Sequence, residues 1–299
     1  MNIMEDFEVV IPSYNSSGTI AAAVTSALEA GARKVIVIDD GSTDDSAVRA
    51  RDAGAHVICK TNEGASKARK DGAREVTSPY FAFLDSDDEL IKDGVHESIR
   101  MLQSDNSLAV AAGAVLGIAG NGAEKRIVRG FESYDTAGLI RGGYSPWPPA
   151  ASVFSSTHYR LQDELDIPVL HTRYAEDYEL LIRMSIVGDI ACHSTLSCRY
   201  QLAGGKSHRA ADQVVRCKES IREHYASNLG IAFEKPSERQ LHAAAAARTA
   251  HGYVAAKKPV QALRWAVYAA VCDPALVRNG VARRIRGTSR RCRTGRREQ

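Results

Sequence analysis

The apolar run Phe81-Ala82-Phe83-Leu84 stops abruptly in Asp85, Ser86, Asp87, Asp88 and Glu89. Unbroken hydrophobicity over a short run fits a strand covered on both faces. The carboxylates that follow repel one another unless positive charge sits among them. In an open α/β sheet the ligand crevice lies beyond the carboxyl ends of the strands. Oxygen-rich clusters there suit Mg²⁺ or Mn²⁺. An acidic loop that merely caps the next helix would look the same in isolation, because Asp and Glu favour helix N-termini. The flanking segments decide between these readings.

Upstream, Glu8 to Pro12 reads as a first strand, followed by the polar loop Ser13 to Gly18. Ile20, Val24, Ala27 and Leu28 recur at helical spacing, and Gly31 stands where the helix should stop. Lys34 to Ile38 is a second buried strand, and it too ends in acids, Asp39 and Asp40. Asp44 and Asp45 open a helix running to about Gly54, His56 to Cys59 forms a third strand, and Ala65 to Val76 a further helix. Tyr80 to Leu84 is the fourth strand. Short strands alternating with longer helices predict βαβ units on a mainly parallel α/β sheet. Right-handed crossovers bring the strand ends to one edge. One acidic cluster at that edge can hold a cation while the other reads a base or ribose, so the pattern describes a nucleotide site. No GxGxxG follows the first strand and no GxxxxGK[ST] occurs anywhere, which excludes the dinucleotide and P-loop types.

Four stretches taken together carry a family resemblance. Val10-Ile11-Pro12-Ser13-Tyr14-Asn15, Ile38-Asp39-Asp40-Gly41-Ser42-Thr43-Asp44, Asn62-Glu63-Gly64 with Ala68-Arg69, and Phe83-Leu84-Asp85-Ser86-Asp87-Asp88 resemble, in order, the motif series of family 2 glycosyltransferases, which have the GT-A fold. The match is close over roughly residues 7–95 and thinner to about 208. The resemblance implies an inverting enzyme that moves a sugar from a nucleotide-diphosphate donor, a UDP-sugar favoured, to a hydroxyl of a glycan or lipid-linked acceptor with Mn²⁺ or Mg²⁺. It implies that Pro12, Tyr14 and Asn15 wrap the nucleobase, that Asp40 accepts the base N3–H, and that Arg69 lies near base or diphosphate. Asp85 falls near the ribose and Asp87 on the metal, with Asp88 able to share either role. Lys70, where the family usually has Asn, and Glu29-Ala30, in place of a common Gln, depart from the pattern.

Beyond the acidic cluster, Lys92 to Gln103 reads as a helix and Leu108 to Ile118 as a strand. Trp147, an exposed-type aromatic in the stiff Ser145-Pro146-Trp147-Pro148-Pro149, suits a sugar-stacking wall or a packing anchor, the anchor slightly ahead. Tyr178, Leu181, Ile182 and Ser185 share a helical face, so Glu176 and Asp177 open a helix. Acids in a first turn are commonly dipole partners. The resemblance instead makes Asp177 the catalytic base, with Glu176 orienting it. Transfer to a hydroxyl needs one such base, and the departing diphosphate needs positive charge. Arg199-Tyr200-Gln201 and then Lys206, Ser207 and His208 follow the last expected strand. By resemblance they close over the diphosphate, with His208 as a third metal ligand; a solvated loop is the equal alternative. No QxxRW occurs, which argues against a processive synthase.

At 299 residues, 44% hydrophobic and 25% charged, the chain can bury a full core. The reading divides it into a GT-A catalytic domain at 1–208, with a nucleotide half (1–105) and an acceptor half (106–208), a helical region at 209–286 and a basic tail at 287–299. Helices are expected at Val214 to Tyr225, Glu238 to Ala256, Val260 to Val271 and Pro274 to Ile285, packing on the catalytic domain or on a twin subunit. Nine Arg against one Glu lie between Arg278 and Gln299. Such a segment suits an anionic membrane surface, and without interleaved aromatics it disfavours nucleic acid. Six Cys without a CxxC pair, and Glu5, Asp6 and Glu8 where a signal peptide would be apolar, predict a cytoplasmic protein, peripheral at the inner membrane face at most. A non-catalytic nucleotide-sugar or membrane scaffold is the competing class. It is disfavoured because every acidic position is filled. A nucleotidyltransferase would need a Gly-rich loop with Arg and Lys after the first strand, which is absent.

Overall fold

The computed structural model describes residues 6–120, 122–127, 134–143, 145–202 and 210–275. At its centre is β1 (Phe7–Ser13), buried at all seven positions. It is followed by α1 (Ile20–Glu29), β2 (Lys34–Asp39), α2 (Ser46–Asp52), β3 (His56–Cys59), α3 (Ala65–Arg74) and β4 (Tyr80–Phe83). These elements match the alternation read from the sequence. Gly31 and Gly54 adopt φ of 97° and 100° just past α1 and α2, where a side chain would be strained.

The second half adds β5 (Glu89–Leu90), α4 (Lys92–Ser104), β6 (Leu108–Ile118), β7 (Glu124–Ile127), α5 (Thr136–Gly142), β8 (Ser152–Ser155), α6 (Ser156–Leu161), α7 (Glu176–Val187) and β9 (Asp189–Gln201). One sheet results, in the order β3-β2-β1-β4-β8-β6-β9-β5, with β7 on β6. The four strands from β3 to β4 are parallel. β8 runs antiparallel to both β4 and β6, β9 parallel to β6, and β5 antiparallel to β9. Parallel pairing is continuous across the N-terminal half and recurs in the second half between β6 and β9. Arg199, Tyr200 and Gln201 lie inside β9 rather than after it, since they continue its pairing with β6. Successive strands leave β1 first on one side and then on the other, which opens a crevice past the carboxyl ends of β1 and β4.

Packing fixes that edge. Phe81 stacks on Phe154 at 5.6 Å and meets Tyr159 edge-on at 5.0 Å. Helix α3 lies so close to β1 that a Cβ at Gly72 would stand 2.4 Å from Val10 Cγ1. At the opposite end of the sheet the fully buried Glu8 accepts from Arg33 Nη2 at 2.7 Å, Thr77 N at 2.8 Å and Thr77 Oγ1 at 3.0 Å. Burial pushes this carboxyl up, but those donors outweigh it and hold it below its ordinary range.

Three helices follow: α8 (Ala211–Leu229), α9 (Glu238–Ala255) and α10 (Pro259–Cys272). α8 is tied to α7 where the Tyr225 hydroxyl donates to Glu179 Oε1 at 3.0 Å and accepts from Arg183 Nη1 at 3.1 Å. Arg222 Nε donates to Ile140 O at 2.6 Å. A capping box of Ser237 and Gln240 starts α9, and Pro259 opens α10. α10 buries only Ala262 and Ala269; its outward face carries the exposed Val260, Leu263, Val267 and Val271. Among the described residues no helix is long and apolar enough to cross a membrane. The expected helix at 274–285 and the Arg-rich stretch fall almost wholly outside the described residues.

Candidate active site

A cleft of about 1220 Å³ opens at the carboxyl edge of the sheet. Pro12, Tyr14 and Asn15 reach it from the loop after β1, Asp40 from the end of β2, and Asp85, Asp87 and Asp88 from the loop after β4. Arg69 enters from α3, Trp147 from the segment before β8, and Glu176 and Asp177 from the start of α7. Residues distant in sequence thus share one hollow.

The nucleotide half is braced through its loops. Asn15 adopts φ of 50°, which Asn tolerates, and its Oδ1 accepts from Thr43 N at 2.8 Å while its own N–H donates to Ser42 Oγ at 3.0 Å. The ring of Tyr14 beside it is 43% exposed. Asp40 is buried, and its two oxygens accept from Glu63 N at 2.9 Å and Gly64 N at 2.7 Å, so it holds the entry to α3. One turn into that helix, Arg69 donates to Asp85 Oδ1 at 2.5 Å and to Glu176 Oε1 at 3.0 Å. Its Nε is buried without a hydrogen-bond partner. This guanidinium joins the two halves of the cleft. Burial opposes its charge, but Asp85, Glu176 and Asp177 together keep its proton held more tightly than usual. Glu176 moves upward because burial outweighs the pull of Arg69, and Asp177 adds to the rise.

The acids after β4 divide by environment. Asp87 is exposed toward the cleft; desolvation and the charge of Asp85 raise it. Asp88 is 2% exposed and turns inward, its Oδ1 accepting from Gln201 N at 2.9 Å while Oδ2 is buried without a partner. Burial pushes its carboxyl up to about 8, with the charges of Asp85, Asp87 and Glu89 adding and the Gln201 N–H opposing. Among the described residues no three His, Cys, Asp or Glu side chains converge into a ready metal cage. The orphaned Asp88 oxygen and the open Asp87 nevertheless fit a hard cation that takes its remaining oxygens from a bound phosphate.

Asp177 is half-buried at the second position of α7, after Ala175, whose φ of 67° is strained for a residue with a Cβ. Trp147 is 6% exposed and packs edge-on against Tyr134 at 5.1 Å, which corrects its reading as an exposed-type aromatic: Tyr134 covers the ring and leaves only part of it at the cleft. Behind it lies a smaller cavity of about 90 Å³, lined also by Tyr159, Leu180 and Arg183. Lys206, Ser207 and His208 lie outside the described residues. Tyr200, read from the sequence as part of the segment near the diphosphate, lines the cleft from β9, and Lys218 on α8 and Arg248 on α9, which were not foreseen, line it as well. Helical periodicity identifies the buried face of a helix but not the cavity onto which its polar edge opens.

The family model for Glycosyl transferase family 2 matches residues 8–158, half of the chain. Over 90 residues the chain is 44% identical to the succinoglycan biosynthesis protein ExoU of Rhizobium meliloti, covering 28% of this chain and 26% of that protein. Over 108 residues it is 32% identical to WfaP of Escherichia coli, a UDP-Glc:alpha-D-GlcNAc-diphosphoundecaprenol beta-1,3-glucosyltransferase, covering 34% and 43% respectively. The match spans 17–26% of the length of the first curated relatives. Residues 1–349 of S. aureus TarS, solved in complex with UDP-GlcNAc, superpose with a TM-score of 0.54 at 16% identity, covering 87% of this chain and 90% of that one. That likeness concerns the fold.

Proposed function

The chain belongs to glycosyl transferase family 2, and from that premise we propose that it transfers a sugar, with inversion, from a nucleoside-diphosphate donor to a hydroxyl of a glycan or lipid-linked acceptor. The observation that carries the reading is the convergence of Asp40, Asp85, Asp87 and Asp177 on one cleft. A UDP-sugar is favoured as donor, by analogy with the UDP-glucose-using relative.

In this reading Tyr14 stacks on the nucleobase and Asp40 accepts its N3–H. Each Asp40 oxygen has a second lone pair beyond the one used by Glu63 or Gly64. Asp85, steadied by Arg69, receives the ribose. Asp87, with Asp85 or Asp88 alongside, would hold Mn²⁺ or Mg²⁺, which would supply Lewis-acid stabilisation of the departing diphosphate. Asp177 takes the proton of the acceptor hydroxyl as its oxygen bonds to the anomeric carbon and the bond from that carbon to the phosphate oxygen breaks. Attack opposite the leaving group inverts the configuration. Glu176, engaged by Arg69, orients the turn carrying Asp177. A peripheral contact with an anionic membrane draws support from the apolar outward face of α10 and the nine Arg after it in sequence.

The test is release of nucleoside diphosphate from UDP-, GDP- and dTDP-sugars with Mn²⁺, read beside thermal stabilisation by each. Turnover and stabilisation with a UDP-sugar are expected. Neither binding nor turnover with any of them would overturn the reading.

A further inference from the structure

The cavity of about 90 Å³ behind Trp147 borders the base and not the donor acids. Arg69, Glu176 and Asp177 line both it and the cleft, whereas Tyr14, Asp40, Asp85 and Asp87 line the cleft alone. Its outer wall is held in place from within. Arg183 Nη1 donates to Ile167 O at 2.7 Å and Nε to Gln162 Oε1 at 2.7 Å, while Glu179 Oε1 accepts from Leu170 N at 2.8 Å. Two buried side chains of α7 thus fix the segment that carries Val169, a further lining residue. Phe83, Phe154 and Leu180 add apolar surface. Ser152, 2% exposed, and Tyr159 line the cavity too, and among the described residues neither hydroxyl forms a hydrogen bond. Hydroxyls so placed ordinarily find a partner, so both are open to a ligand. Apolar cavities take up benzene at ~150 Å³, and a water's share of liquid volume is ~30 Å³. The space is therefore too small for a sugar ring and large enough for one substituent of it.

We propose that this cavity is an acetamido pocket for the acceptor, which makes the acceptor an N-acylated amino sugar. The inference rests on the transferase reading above and names the acceptor class for the same site. The reacting hydroxyl must reach Asp177, and a ring held there can extend one short side group past Trp147 into the space behind. A hydroxyl or hydroxymethyl group would leave the aromatic wall uncovered. A carboxylate would find Lys70, which also lines the cavity, but would lie against Phe83 and Phe154 at a desolvation cost. An acetamido group is polar at its root and apolar at its tip. Its carbonyl accepts from Ser152 or Tyr159, and its methyl covers the rings. The donor sugar can carry the same group, and the experiment separates the two.

Methyl glycosides of N-acetylglucosamine and N-acetylgalactosamine, the parent glucoside and galactoside, and the glucuronide are titrated by saturation-transfer NMR into the full chain holding UDP and Mg²⁺. At least one N-acetyl compound should bind about 10-fold tighter than its parent, with the strongest saturation on the acetyl methyl. Val169→Phe, which fills the cavity from its outer wall, should erase that preference. Tyr159→Phe should lower it about 3-fold, with UDP affinity within about 2-fold in both variants. No N-acetyl preference in either pair, tighter binding of the glucuronide, or a preference that survives Val169→Phe would overturn the pocket. So would a matching loss of UDP-N-acetylglucosamine affinity relative to UDP-glucose in Val169→Phe, which would give the cavity to the donor. If the preference is found but no nucleotide sugar is turned over, the transferase reading fails and the pocket stands. If unsubstituted hexosides accept the sugar equally well, the pocket fails and the transferase reading stands.

Discussion

Two buried carboxylates on the same sheet meet opposite fates. Glu8, near the amino end of β1, has donors on both oxygens and sits below its ordinary range. Asp88, past the carboxyl end of β4, has one oxygen satisfied and the other orphaned, and its carboxyl is pushed up to about 8. Burial alone cannot explain the difference, since both side chains are nearly inaccessible. What differs is completeness. At one edge the chain supplies every partner of the charge; at the other it leaves positions open, which is what a ligand requires. The first edge is built for stability, and the second is where the proposed chemistry lies.

That division is most exposed to failure at Asp177. Asp177→Asn should lower kcat by ~10²–10⁴-fold while leaving UDP affinity and melting temperature nearly unchanged; transfer that survives would move the base elsewhere. Next in size is a pH effect on the metal-free protein. Asp88 titrates higher in the fold than in the unfolded chain, so between those values the fold holds a proton that the unfolded chain has lost. Its stability contribution is complete in acid and drains away as pH rises toward 8. Melting scans in chelator should fall over that range, by up to several kcal/mol at ~1.4 kcal/mol per unit, and Asp88→Asn should flatten them. Glu8 has the opposite sign: its contribution is present above the ordinary carboxylate range and is lost as pH falls through its depressed value. Glu8→Ala should cost about 2–3 kcal/mol in denaturant unfolding and leave turnover intact at permissive temperature; a loss of activity without loss of stability would break the comparison. The smallest effect should come from Ala175→Gly, which relieves a positive φ beside the base and should stabilise by under about 1 kcal/mol.

Much of this was legible in the chain. β2 and β4 announced themselves because they are short, largely buried and run into acids, and β3 and β6 fall on their expected residues. β9 was not, because Asp-Ile-Ala-Cys-His-Ser-Thr-Leu-Ser-Cys-Arg-Tyr-Gln has neither alternation nor a continuous apolar run. Its 13 residues are placed by pairing with β6 through three register irregularities, a tertiary effect no local pattern encodes. Trp147 is buried despite its flanking prolines, and the cover comes from Tyr134, brought over by the fold. Lys218 carried no local signal, and it is the docking of α8 against α5 and α7 that brings it to the cleft.

The near contact between Gly72 and Val10 has a reach beyond packing. Arg69 sits one turn earlier on the same helix, spanning Asp85 and Glu176. Any side chain at 72 would lever the helix away from the sheet and swing the guanidinium with it, parting the strap between donor and acceptor halves. A single hydrogen atom in the interior therefore sets the alignment of two distant carboxylates, and drift at this position would detune the enzyme without touching a ligand.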